Sequence, residues 1–226
     1  MVREVARSPK PVPGRPHVAT AVLVSGSGTN LQAVIDAVRK DVLPLDLKIV
    51  VSNRPGVRAL ERAGKAGIST LVMPFIPGLD DRPAYGRRLA NALRERGVRL
   101  VLLLGWMLVL PPEFLEAGFE GVLNLHPAYL PEDPNADTVT FADGTTTPCF
   151  RGAHALRDAL AAGVAFTGAS LIEITPQVDR GPLLARKSMA LRVDESETTA
   201  LDRLHAVERE VVREGIERWL ASRLLA

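Results

Sequence analysis

Asn124 and His126 stand two residues apart in GVLNLHPAYLP, Gly121 to Pro131, with Pro127 directly behind them to stop a β-ladder. At the end of a strand the period of two sends both side chains to the same side, where they can converge on one reacting centre. An amide N–H beside a protonated imidazole can donate hydrogen bonds to a developing oxyanion, and the imidazole can shuttle a proton to or from an attacking amine. The plainer alternative is a strand-end histidine bonded to a nearby carbonyl. Asp179, in ITPQVDRGPLL, sits in a polar turn between two apolar runs. Such an aspartate commonly caps a turn, here with Arg180 and Gly181. If its carboxylate faces His126, it favours the imidazolium and completes a general acid/base pair.

A third stretch, VSGSGTN from Val24 to Asn30, follows an apolar run and opens a helical pattern. Gly26 and Gly28 let backbone N–H groups approach a ligand, and the helix N-terminus behind them favours an anion. It is no Walker loop, because no Gly-Lys-Ser/Thr follows, and it lacks the third glycine of a dinucleotide fingerprint. A tight turn with Thr29 or Asn30 as helix cap is the competing reading.

These residues need a scaffold, and the flanking pattern predicts one. Short runs rich in Val, Ile and Leu, at Ala19 to Val24, Leu47 to Val51, Thr70 to Met73 and Leu100 to Leu104, read as buried parallel strands. Between them lie helical patterns at Leu31 to Val38, Val57 to Ala66 and Arg82 to Arg96, the last with Tyr85, Leu89 and Leu93 on one face. The expected fold is therefore α/β: a single domain, Rossmann-like, with a mostly parallel sheet and helices on both faces. Val122 to Leu125, Val164 to Ile174 and Leu183 to Val193 extend the sheet in directions the sequence does not fix. A helix from Ala153 to Ala162 precedes them in part, and an amphipathic helix from Glu197 to Leu220 closes the chain.

Composition narrows the possibilities. With 28 basic and 26 acidic residues the formal charge is +2, without a block concentrated enough to attract nucleic acid. Cys149 is the only cysteine, so a disulfide framework and a thiolate metal cluster are excluded, which suits a reducing cytoplasm. The run from Val98 to Leu110 is broken by Arg99 and Gly105 and is too short to span a bilayer. Residues 1–17, basic and proline-rich, lack the apolar block of a secretory signal and read as a flexible tail ahead of one domain, 18–226. Within that domain, TVTFADGTTT sets β-favouring residues on both sides of Asp143-Gly144, so an inserted hairpin is expected about 133–150, packed through Val139 and Phe141.

Taken together, SGSGTNLQAVIDA, SNRPGVRALERAGKAGI, LGWMLVLPPEF, NLHPAYLP and VDRGPLL resemble the folate-dependent formyltransferase family, over Val18 to about Ala221. The resemblance implies that the amine of a glycinamide ribonucleotide attacks the formyl carbon of 10-formyltetrahydrofolate in purine biosynthesis. By motif it assigns catalysis to Asn124, His126 and Asp179 and the ribonucleotide phosphate to Gly28, Thr29 and Asn30. It assigns the ribose to Glu208, which by pattern alone would be a solvated helical charge. The folate is implied against Leu103, Trp106, Met107, Val109 and Leu110, with Thr175 at the pterin and Arg82 near the glutamate tail. No metal is implied, and the partners are small molecules, with the chain a monomer or homodimer. Formyltetrahydrofolate hydrolysis, and a non-catalytic nucleotide-binding module on the same fold, are the alternatives; a tRNA formyltransferase would need a further nucleic-acid-binding domain. Three departures stand out: Leu108 and Ile172 replace the arginine and histidine common in relatives, and the segment EDPNADTVTFADGTTTPCFRGAHAL is longer than theirs.

Overall fold

The structure is a computed structural model and describes residues 17–224. Of the tail expected at 1–17, all but His17 lies outside the described residues. The chain gathers into two compact units, the first ending at Val122 and the second beginning at Leu123.

In the first unit the Val/Leu-rich runs become β1 (Val18–Val24), β2 (Leu45–Ser52), β3 (Ser69–Val72) and β4 (Leu100–Leu103). They lie in the order β3-β2-β1-β4, and every pairing among them is parallel. Ala21 to Val24 and Leu100 to Leu102 are fully buried, as continuous apolar strands of a parallel sheet must be. The crossovers are α1 (Thr29–Arg39), α2 (Arg58–Lys65) and α3 (Arg82–Arg94). Each buries residues at helical spacing: Leu31, Val34 and Ile35 in α1, Ala59 and Ala63 in α2, and Tyr85, Leu89 and Leu93 in α3. Asp81 starts α3 by accepting the Ala84 N–H at 2.6 Å, satisfying one of the orphan donors of a helix start. A one-turn helix that the apolar pattern does not signal, α4 (Pro112–Leu115), buries Phe114.

β5 (Gly121–His126) carries the chain into the second unit, where it pairs antiparallel with β8 (Phe166–Glu173), and β8 pairs antiparallel with β9 (Leu183–Ala190). These pairings supply the directions that the apolar runs left open. Between β5 and β8 come β6 (Thr138–Thr140) and β7 (Thr146–Pro148), a separate two-stranded ribbon, and α5 (Ala155–Ala161). The ribbon turns through Ala142, Asp143 and Gly144: Phe141 N–H donates to Thr145 at 2.8 Å, and Gly144, at φ 86°, donates to Phe141 at 3.0 Å. This is a three-residue loop with glycine in the left-handed position, not the two-residue turn that Asp-Gly most often makes. Val139 and Phe141 are buried. Phe141 stacks on Tyr129 at 4.9 Å and Phe166 at 5.1 Å, so the ribbon has the apolar support it would lack alone.

α6 (Glu197–Leu224) packs along β8 and β9, burying Ala200, Leu204, Val211, Val212, Ile216 and Trp219. The fold class is α/β with a mostly parallel sheet and a closing helix, as the pattern predicts. Among the described residues no helix is long and apolar enough to cross a membrane, and no cluster of three or more His, Cys, Asp or Glu is placed to hold a metal ion.

Candidate active site

In the first unit the chain order reverses between β1 and β4, so the carboxyl ends of these two strands form the crevice where open α/β sheets take ligands. The glycine turn leaves the end of β1 there. Gly28 is left-handed at φ 71°, and a Cβ on it would lie 2.7 Å from the Ala59 side chain, so glycine is required on both counts. α2 supports the turn from behind: Ala59 N–H donates to Gly26 at 3.2 Å and Arg62 Nε to the Ser27 carbonyl at 2.9 Å. Thr29 and Asn30 open α1 behind Gly28, an N-cap residue that makes no side-chain cap, and Asn30 is buried. The start of α1, the end of a helix that favours an anion, thus follows directly on the glycine turn.

Ser25 is a residue that pattern reading missed. Its hydroxyl donates to Asn53 at 2.6 Å and accepts from the Met107 N–H at 3.0 Å, while its own N–H donates to Gly105 at 2.9 Å. One buried serine therefore ties the glycine turn to the run Gly105–Leu110. Its only signal was a hydroxyl at the end of a buried strand. Along that run Leu103, Trp106 and Leu110 are buried, whereas Met107 and Val109 are 48% and 58% exposed, leaving those two apolar side chains open to a ligand. The buried Trp106 Nε1 finds no acceptor among the described residues. Arg82 is held at 2.8 Å by the Val109 carbonyl and lies over the Phe75 ring at 4.9 Å, so it is fixed beside this run.

In the second unit Asn124, His126 and Asp179 come together. Asn124 Nδ2 donates to Asp179 Oδ1 at 3.3 Å, and His126 Nδ1 lies 3.4 Å from Asp179 Oδ2. His126 and Asp179 are both nearly excluded from solvent, with side chains 4% and 7% exposed. The opposite ring nitrogen, His126 Nε2, is 2.8 Å from the Phe150 carbonyl. A carbonyl only accepts, so Nε2 carries a proton. A second proton on Nδ1 turns its contact with the carboxylate into an ion pair. The carbonyl bond of the plainer reading and the carboxylate contact thus coexist on one ring.

Asp179 adopts φ 52°, a conformation that aspartate tolerates better than most side chains. The turn it makes with Gly181 is tight: a Cβ on Gly181 would fall 1.6 Å from the Glu173 carbonyl. Gly152 N–H donates to Asp179 Oδ2 at 2.9 Å. Thr175 donates to the Gln177 carbonyl at 3.2 Å on the approach to this turn. Glu208, on α6, is buried, with His205 at 4.0 Å, and is not a solvated helical charge. Ile172 lies beside Asn124 in the β5–β8 register and is buried.

A family profile described as formyl transferase matches residues 18–142 and 144–216, across both units. The chain belongs to the formyl transferase family. Among its relatives, phosphoribosylglycinamide formyltransferase of Dictyostelium discoideum is 30% identical over 208 residues, covering 87% of this chain and 95% of that one. The trifunctional purine biosynthetic protein adenosine-3 of Drosophila melanogaster is 33% identical over 190 residues; the match covers 83% of this chain but spans only 13% of that longer protein. A crystal structure of glycinamide ribonucleotide transformylase 1 from Symbiobacterium toebii superposes with a TM-score of 0.76 at 33% identity, covering 88% of this chain and 86% of that one.

Proposed function

We propose that the protein transfers the formyl group of 10-formyltetrahydrofolate to the amine of 5'-phosphoribosylglycinamide. The observation that carries this reading is the Asn124–Asp179–His126 trio, with its His126–Asp179 pair nearly excluded from solvent, in a chain that one formyl transferase profile matches over residues 18–142 and 144–216. The amine attacks the formyl carbon, a C–N bond forms, and the carbonyl oxygen becomes an oxyanion. His126 gives the Nε2–H now bonded to Phe150 to that oxygen, exchanging one acceptor for another. Asn124 supplies a second N–H, since an amide nitrogen carries two and Asp179 takes one. Asp179 holds the imidazolium and relays the amine proton toward N10 of the folate as the C–N10 bond breaks. The products are the formamide and tetrahydrofolate, with no net proton change.

The phosphate of the ribonucleotide lies on the backbone donors of Gly28, Thr29 and Asn30, and Glu208 takes the ribose. The folate uses the apolar face of Met107 and Val109, the Leu103, Trp106 and Leu110 run behind it, Thr175 and Arg82. No metal enters the reaction. The test is to mix the protein with 10-formyltetrahydrofolate, with and without glycinamide ribonucleotide. Amine-dependent loss of the formyl folate is expected. Turnover that ignores the amine would assign hydrolysis, and no turnover would leave a binding module.

A further inference from the structure

Three consecutive residues at the end of the inserted segment each grip the His126–Asp179 pair. The Phe150 carbonyl takes His126 Nε2–H at 2.8 Å, Arg151 Nε donates to the Asp179 carbonyl at 3.3 Å, and Gly152 N–H meets Asp179 Oδ2 at 2.9 Å. Arg151 is the only one of the three whose side chain makes its contact, and it also reaches away from the pair. Its Nη2 donates to the carbonyls of Ala136 at 2.7 Å and Pro134 at 3.3 Å, and Nη1 lies 3.4 Å from Asp137 Oδ1. Arg180, next to Asp179, reaches the same short stretch, donating to Pro134, Asn135 and Asp137. The guanidinium of Arg151 thus spans the two ends of the insertion and the aspartate turn, which a planar five-donor fork can do and a lysine cannot.

We propose that Arg151 is a positioning residue for catalysis: by anchoring Phe150 to Gly152 on the Asp179 turn it fixes the His126 ring with its proton on Nε2 and the Asp179 carboxylate against Nδ1. A hydrogen-bond donor that is oriented before substrate arrives costs no reorganisation in the transition state. Nothing in the sequence marked Arg151, because its partners are mostly backbone carbonyls brought together by the insertion. The kinetic consequence rests on the function proposed above; the ring geometry does not.

The test compares wild type with Arg151→Gln and Arg151→Lys. In long-range 15N–1H spectra the His126 ring, assigned through His126→Gln, should show a slowly exchanging Nε2–H in wild type that is lost in Arg151→Gln. In transfer assays Arg151→Gln should lower kcat about ten- to a hundredfold with both KM values within about threefold, the range of a supporting residue around a catalytic group. Arg151→Lys keeps the cation and guards against simple unfolding, checked by thermal melting; it should recover only part of kcat, since an ammonium cannot bridge both sides. An unchanged Nε2–H signal in Arg151→Gln overturns the proposal, as does a kcat equal to or above wild type, which would make the Phe150 contact a brake. If wild type itself shows no transfer, the spectra still decide the positioning while the proposed reaction alone falls.

Discussion

At the residue scale the buried His126–Asp179 pair is expected to act as one unit, because Asp179 Oδ2 meets both the ring and the Gly152 amide. Replacing either residue, as His126→Ala or Asp179→Ala, is expected to cut kcat by about a hundredfold or more. The double variant should be little worse than the poorer single one, since groups that act together are strongly non-additive. Steady-state kinetics of the three variants checks this, and full additivity would separate the two roles. Gly28→Val carries a different expectation. The added Cβ meets Ala59 from a left-handed backbone, so the turn must shift and its backbone N–H groups with it. Binding of the ribonucleotide should weaken while folate affinity stays within a few-fold, measurable by calorimetric titration of each; the reverse pattern would move the phosphate elsewhere.

The inserted ribbon is the element whose consequences reach furthest. Its tip rests on Tyr129 and Phe166 through Phe141, and its base is tied by Asp137 to Arg180 and Arg151. The Arg180 hydrogen bond, then the charges of Arg180 and Arg151, hold the Asp137 carboxyl below its ordinary range. A carboxyl depressed in the folded state contributes above its unfolded value, and that contribution is lost as pH falls through the folded one. The base of the ribbon should therefore loosen only on strong acidification, and Asp137→Asn should remove that acid dependence, as hydrogen exchange at Ala136 and Cys149 would report. Excising residues 137–148 with a short glycine bridge tests the ribbon as a flap. A flap that excludes water predicts more hydrolysis of formyl folate relative to transfer in a folded deletion, and an unchanged partition would leave it a surface ornament.

For the molecule as a whole, stability in the second unit depends on the contact of α6 with β8 and β9. Ile216 and Leu204 are fully buried on that face. Truncating Ile216→Ala should cost about 2–5 kcal/mol, the range for removing a buried aliphatic side chain and leaving a cavity. Urea unfolding with an unchanged slope would register it as a shift in midpoint.

Much of the fold was legible because its signals are local. A parallel strand buried on both faces must be apolar along its length, so β1, β2 and β4 stand out in the sequence, and helical spacing marks the buried faces of α1 and α3. Gly28 is likewise readable, since a turn from strand to helix with a left-handed residue selects glycine. The directions of β8 and β9 were not readable, because an apolar run has the same composition whichever way its neighbour points. Nor was the assembly of the site. Asn124 and Asp179 are 55 residues apart; the antiparallel register sets Glu173, the last residue of β8, beside Leu123, and it is the turn that follows, with Asp179 in the left-handed region, that folds the carboxylate back onto Asn124 and His126 instead of leaving it to cap its own turn. Ser25, Phe150, Arg151 and Gly152 escaped notice for one physical reason: they act largely through main-chain atoms or upon them, and every residue carries the same backbone, so only the folded chain shows which carbonyl meets which donor.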